Sequence, residues 1–378
     1  MNTLKISDRF GLCAVPVLKN RLPIFGIYKG IIVTYARISQ KSLSMKSIRI
    51  LYFLFLSATF LYLSSCKTQT PKIGILLHSY ENERWDKDKE YLVNDLTRLG
   101  ANVFLEVADN DQNKQIEQAK KMIEDGVQVL IVVAINQDKA AEIVEMAHEA
   151  NVKVIGYDRL INGCKLDYYI TSNSTRIGEL QASYLTSLKP NGKYALIPGS
   201  KYDDNSMKLF LGQMNILQPF METGAVQVVY SEFTDDWSTD QGKIHANKIL
   251  DENPDSLTAI IAGNDAIADG VLDVLKARGR EGKVMVAGQD AELDNIKAIM
   301  NGSQTCTILK PLQEMAKNTA ELAVALALEK PVQLKFTTES NGKALVKSIL
   351  IDAIVVNKNN IETTIVSSGY HTSAELNQ

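Results

Sequence analysis

The sequence predicts an α/β protein of two similar Rossmann-like lobes in tandem, each a parallel sheet covered by helices and joined to the other by a three-strand hinge. Three observations lead there. Short runs rich in Val, Ile and Leu recur from Lys72 onward, each followed by a polar turn and a helix-length segment of 3.6 period. The runs are continuously apolar, as strands buried on both faces are. The same grammar starts again after residue 172. With 378 residues, 45% of them apolar and 22% charged, the chain can build two hydrophobic cores.

In the first lobe the runs KIGILL, ANVFLEVA, VQVLIVV and VKVIGYD read as strands, with helices expected over 83–99, 113–124 and 137–149. After DYYITSN the second lobe follows with KYALIPG, VQVVYSEF, LTAIIAGN and KVMVAGQD, and helices over 206–221, 240–250, 266–278 and 293–300. The segment TCTILKP with the helical LQEMAKNTAELAVALALEK is expected to complete the first lobe, and the late strand SILIDAIVV the second. The lobes would then comprise 72–172 plus 306–334, and 173–305 plus 335–378. Three crossings, near residues 172, 306 and 335, make a hinge, and a hinge between two α/β lobes makes a clamp.

Residues 1–65 stand apart from this pattern. From Met45, two positive charges (Lys46 and Arg49) lead into an apolar stretch, Ile50 to Leu63, that ends in Leu63-Ser64-Ser65-Cys66. The stretch is short for a membrane span and reads as a signal peptide with a lipobox, whose Cys66 would take a diacylglycerol and become the new N-terminus. Met45 is the better start, and residues 66–71 would be the lipidated cysteine and a tether. Residues 1–65 hold 9 of the 41 Lys and Arg but 1 of the 44 Asp and Glu, which leaves the mature part with a net charge of about −11. No nucleic-acid partner is expected of it. A monomer at the periplasmic or outer cell surface, held to the membrane by its lipid, is the expectation.

Ligands of parallel α/β sheets sit beyond the carboxyl ends of the strands. There the sequence places Arg84 and Trp85 after the first strand, and Asp158 and Arg159 in GYDRLIN. In the second lobe it places Asp203, Asp204 and Asn205 in IPGSKYDDNS, Trp237 in EFTDDW, Asn264 and Asp265 in IIAGND, and Gln289 and Asp290 in VAGQD. Lys310 ends the crossover strand. Each has a plain alternative: Trp85 as a core residue, Asp158 and Arg159 as a local ion pair, Asn264 as a helix cap. Their recurrence at six strand ends is the stronger signal. Together they suit a sugar, whose C–H face packs on an aromatic ring and whose hydroxyls donate and accept at once. Arg adds a planar fork for a pair of oxygens.

Catalytic and metal sites find no support. The four histidines (His78, His148, His245 and His371) have no metal spacing, and His148 and His245 read as solvated helix positions. Cys164 and Cys306 fit no metal or redox pattern and suit small packing roles, with a disulfide between them left open. There is no nucleophile elbow, phosphate loop or dinucleotide fingerprint. A carboxylate pair could serve a glycosidase, but an array that mixes Arg, Lys and amides suits holding a neutral polyol. No cofactor, metal or enzymatic activity is expected.

Over residues 72–375 the chain resembles the periplasmic sugar-binding proteins of ABC transporters, with the D-xylose binders nearest. The stretches that carry the resemblance are ERWDKD, GYDRLIN, GELQA, KLFLGQM, GNDAIADG, AGQDAEL, TILKP and VNKNNI. It implies the type I periplasmic binding protein fold and a pyranose held between Trp85 and Trp237. The polar ligands it implies are Arg84, Asp158, Arg159, Asn205, Asn264, Asp290 and Lys310. Two departures stand out. His78-Ser79 replaces an acidic pair, and DDNSMKLF is one residue longer than its counterpart, so Asp204 competes with Asn205 for one position. The implied partners are a monosaccharide and, at the membrane, an ABC permease or a sensor kinase. A LacI-type repressor core shares the fold, but the export signal, the acidic charge and the lack of a helix-turn-helix before Lys72 argue against it.

Overall fold

A computed structural model describes residues 70–80, 82–253 and 256–378; the expected signal peptide, Cys66 and most of the tether lie outside these residues. In the first lobe the apolar runs form β1 (Lys72–Leu77), β2 (Asn102–Val107), β3 (Val129–Val132), β4 (Lys153–Tyr157) and β5 (Tyr168–Ser172). They pair in parallel in the order β2-β1-β3-β4-β5. Helices α1 (Arg84–Arg98), α2 (Gln112–Glu124) and α3 (Ala141–Glu149) connect them. Every residue of β3 is buried, because helices on both faces leave such a sheet no side in water. Successive side chains go to opposite faces, so Ile73, Ile75 and Ile131 join one core while Leu76, Leu130 and Val132 join another.

The second lobe repeats this with β6 (Gly192–Ile197), β7 (Val226–Ser231), β8 (Leu257–Ala262) and β9 (Met285–Ala287), parallel in the order β7-β6-β8-β9. Its helices are α4 (Ser174–Leu188), α5 (Asp204–Glu222), α6 (Thr239–Glu252), α7 (Asp265–Ala277) and α8 (Leu293–Asn301). The alternation of runs in the sequence gives no notice of α4. Its buried face is Ser174, Ile177, Gly178, Gln181, Ala182, Leu185 and Thr186, too small and polar to show an apolar period. That smallness has a packing cause: a Cβ at Gly178 would lie 2.1 Å from the Leu209 carbonyl oxygen of α5.

The late segments correct the expected exchange between lobes. Strand β10 (Thr307–Leu309) pairs antiparallel with β13 (Ile354–Val356) as a separate two-stranded sheet, which an isolated bridge from Cys306 to Ala287 sets beside β9 in the second lobe. The helix after it, α9 (Leu312–Ala327), packs on α1 of the first lobe. Strand β12 (Leu345–Ile351) lies parallel to β5, with β11 (Thr337–Ser340) antiparallel at the edge, and both belong to the first sheet. The chain therefore crosses between sheets after β5, between β10 and α9, and between β12 and β13. Apolar pattern identifies a strand but not the sheet that receives it, since either sheet offers the same apolar edge. The chain closes with a π-helical turn (Glu362–Val366) and a short α10 (Ser373–Leu376) beside α8.

Candidate functional site

Beyond β1 the chain turns into α1, whose first two residues, Arg84 and Trp85, are each 2% exposed. Arg84 donates from Nε and Nη2 to Asp88 Oδ2 at 3.0 and 2.8 Å, and from Nη2 to Asp158 Oδ1 at 3.0 Å. Its Nη1 lies 3.5 Å from Asp290 Oδ1. Lys310, just past β10, stands 3.5 Å from Asp158 Oδ1 and 3.4 Å from Asp290 Oδ1. Since Asp158 follows β4 and Asp290 follows β9, two cations bridge carboxylates of different lobes. Burial pushes the Asp158 carboxyl up, but Arg84, Lys310 and Arg159 outweigh it and hold it well below the usual range. Asp88 is pushed up by burial against the pull of Arg84 and of the Tyr157 hydroxyl that donates to it.

Both bridging carboxylates sit on backbone in the left-handed region, at φ 62° for Asp158 and 100° for Asp290, with Ala291 next at 56°. Such conformations cost about 1–3 kcal/mol for residues with a Cβ, and here side chains pin them. The Asp158 carbonyl accepts from Tyr169 Oη at 3.0 Å, Thr171 Oγ1 at 2.9 Å and Asn205 Nδ2 at 2.9 Å. Tyr370 Oη donates to the Asp290 carbonyl at 2.8 Å, and His371 Nε2 to that of Ala291 at 2.8 Å. The chain's C-terminal segment thus holds a turn of the site.

Arg84, Asp158, Asn205, Asp290 and Lys310 line a slot between the lobes, closed down to about 20 Å³. Of the thirteen residues that the sequence places at strand ends, eleven line it: Arg84, Trp85, Asp158, Arg159, Asp203, Asn205, Trp237, Asn264, Gln289, Asp290 and Lys310. Asp204 does not, because it turns to Lys208 at 2.8 Å. Its neighbour Asp203 lines the slot, accepting from Asn205 N at 3.0 Å and facing Arg159 Nε at 3.2 Å. Asp203, named with Asp204 and Asn205 from the sequence, is the N-cap of α5, while Asp265 is buried outside the slot and accepts from Thr307 Oγ1 at 2.8 Å. Asn82 also lines the slot, and nothing local singled it out.

Asn264 is a helix cap that also lines the slot. Its Oδ1 caps α7 through Ile267 N at 2.9 Å, and its Nδ2 donates to the Trp237 carbonyl at 3.3 Å. Trp237 lies flat against Gly199, where a Cβ would come within 2.3 Å of the indole and φ is +113°. Trp85 is packed in the first lobe's core as well as lining the slot, with the His78 ring edge-on to it at 4.4 Å. Four buried atoms of slot residues, Trp85 Nε1, Gln289 Oε1, Arg159 Nε and Asp290 Oδ1, make no hydrogen bond; the last two face opposite charges, and the first two, a donor and an acceptor, face none, which is costly. A hydroxyl serves either.

Elsewhere, His245 is buried at 5% exposure, with Nδ1 2.6 Å from the Tyr230 hydroxyl, which corrects the solvated position read from the sequence. A solvated face and a sealed one share the same helical spacing. His148 is partly exposed and lies 2.7 Å from Asp167. Cys164 and Cys306 are free and buried. Among the described residues no group of His, Cys, Asp or Glu is placed to hold a metal.

The sequence matches the periplasmic binding protein domain over residues 73–331. It is 36% identical over 313 residues to a D-xylose-binding periplasmic protein of Haemophilus influenzae, covering 83% of this chain and 94% of that one. It is 37% identical over 305 residues to the Escherichia coli protein of the same description, covering 81% and 92%. Among solved structures, a carbohydrate transporter solute-binding protein from Chloroflexus aurantiacus in complex with D-glucose is 27% identical, with a TM-score of 0.75 over 81% of this chain and 98% of that one. These relatives are solute-binding proteins.

Proposed function

Because the chain belongs to the periplasmic binding protein domain family, we propose that it is a receptor whose two lobes close on a neutral monosaccharide, D-xylose, and deliver it to an ABC permease. One observation carries the reading: a slot walled by Trp85 and Trp237, with Asp158 and Asp290 of different lobes bridged by Arg84 and Lys310. A sugar in this slot ties the lobes together. Its C–H faces pack on the indoles, Arg84, Arg159 and Lys310 donate to its oxygens, and Asp158, Asp203, Asp290, Asn205 and Asn264 engage its hydroxyls. Water excluded by closure makes each of these hydrogen bonds stronger. The relatives named as D-xylose-binding proteins support this choice of sugar.

Calorimetric titration of the purified protein with D-xylose, alongside arabinose, ribose, glucose and galactose, tests it. Micromolar or tighter binding of xylose in preference to the others is expected; no heat with any of the five ends the reading. The lipid anchor on Cys66 is tested separately. Cys66→Ser should shift the protein from the membrane fraction to a soluble or unprocessed form, and normal membrane partition would remove the anchor.

A further inference from the structure

We propose that the cleft contains a second saccharide subsite, a chamber beside the slot that takes the next sugar unit of a ligand whose first unit lies between the tryptophans. This rests on the sugar-binding reading and extends it from monosaccharides to short oligosaccharides. The chamber is continuous with the slot: Asn82, Arg159, Asp203 and Trp237 line both. It is the roomier of the two, with a volume of about 270 Å³ against about 20 Å³ in the slot.

Its own walls are those of a sugar site. His78 is 4% exposed, and its Nδ1, buried in the chamber wall, has no hydrogen-bond partner. Burial and the neighbouring Arg159 and Arg84 keep that ring neutral, so it can offer a lone pair or a proton to a hydroxyl. At the rim Tyr202 is 55% exposed. An aromatic ring at the mouth of a polar chamber gives the C–H face of a second ring somewhere to pack.

The charges narrow the ligand class. Asp235 is paired with Lys201, Asp203 with Arg159, and Asp236 Oδ1 accepts from Ser238 N at 3.0 Å. The cation of the chamber wall, Arg159, is thus already paired, and a phosphorylated or uronic unit would meet carboxylates there. A neutral unit fits.

The test is titration of the protein and of Tyr202→Ala with D-xylose and with the β-1,4-linked disaccharide of xylose. The wild type should bind both sugars. Tyr202→Ala should weaken the disaccharide about five- to tenfold, the scale of one aromatic contact, and leave xylose within about twofold. Xylose binding without disaccharide binding would overturn the subsite and leave the chamber as a passage. Equal weakening of both sugars, or of neither, would overturn it as well. Loss of both sugars in the wild type would instead strike the monosaccharide reading, and the subsite would fall with it.

Discussion

At the scale of single residues, Trp237 is the cleaner of the two tryptophan probes of the slot, because it is half-buried against Gly199 and only flanks the core, whereas Trp85 is buried within it. Trp237→Ala should weaken xylose by about 1–3 kcal/mol, the scale of a lost buried aromatic face, with the melting temperature little changed; unchanged calorimetric affinity would take Trp237 out of the site. Tyr370 acts without lining the slot. Its hydroxyl holds the Asp290 carbonyl on a backbone at φ 100°, so Tyr370→Phe removes one buried hydrogen bond of about 1 kcal/mol. Xylose affinity should fall about fivefold, whereas a Tyr370 that merely fills space would leave it unmoved. Glu292 gives the pH dependence. Burial and the nearby Asp265 and Asp290 push its carboxyl from 4.5 up to about 9. The folded protein therefore keeps a proton that the unfolded chain has lost, and stability declines as pH rises from about 4.5 toward 9. Glu292→Gln should raise the melting temperature at pH 8 by at least the 2–4 °C that about 1 kcal/mol gives in a large domain, and leave it unchanged at pH 4. A gain of equal size at both pH values would mean better packing, not relief of a buried charge.

At the scale of elements, the strands were legible because each carries its own apolar run; Asp158, Asp290 and Lys310 were legible because they stand within three residues of such a run, and Arg84 because it opens the helix after one. What stayed hidden depends on partners distant in sequence. Helix α4 has the apolar signature of neither period, since its contact with α5 is made by Gly178 and other small residues. The destination of β10 and β12 is set by which sheet edge is free, and no local pattern records that. Which of the neighbours Asp203 and Asp204 faces inward turns on one residue of register at the start of α5, where only the cap geometry decides. The α4–α5 contact makes its own prediction. Gly178→Ala puts a methyl 2.1 Å from the Leu209 carbonyl oxygen, so the helices must separate, at about 1–3 kcal/mol of stability as overpacking costs. The urea midpoint should drop accordingly, and an unaltered midpoint would show that α4 and α5 yield freely.

For the whole molecule, sugar affinity depends on the equilibrium between open and closed lobes as well as on the slot. Among the contacts that span the lobes without lining the slot, the Glu83 carboxylate of the first lobe accepts from Leu293 N, the first residue of α8 in the second, at 2.9 Å. A carboxylate at a helix N-terminus is favoured by the helix dipole as well as by the hydrogen bond. The same Glu83 lies 3.8 Å from His371 and 3.5 Å from Lys87, and Lys87 donates to the Tyr370 carbonyl, so the contact leads back to the turn that holds Asp290. Removing it should lower the closed fraction without altering the slot, and apparent affinity falls in proportion to that fraction. Glu83→Ala should therefore weaken xylose about three- to tenfold, the net worth of one ordinary hydrogen bond at a partly exposed site, and weaken every other sugar the protein binds by the same factor. Small-angle scattering should show a contraction on adding xylose in wild type and variant alike, with the variant needing more sugar to complete it. A loss that differs between sugars would place Glu83 in recognition instead of closure.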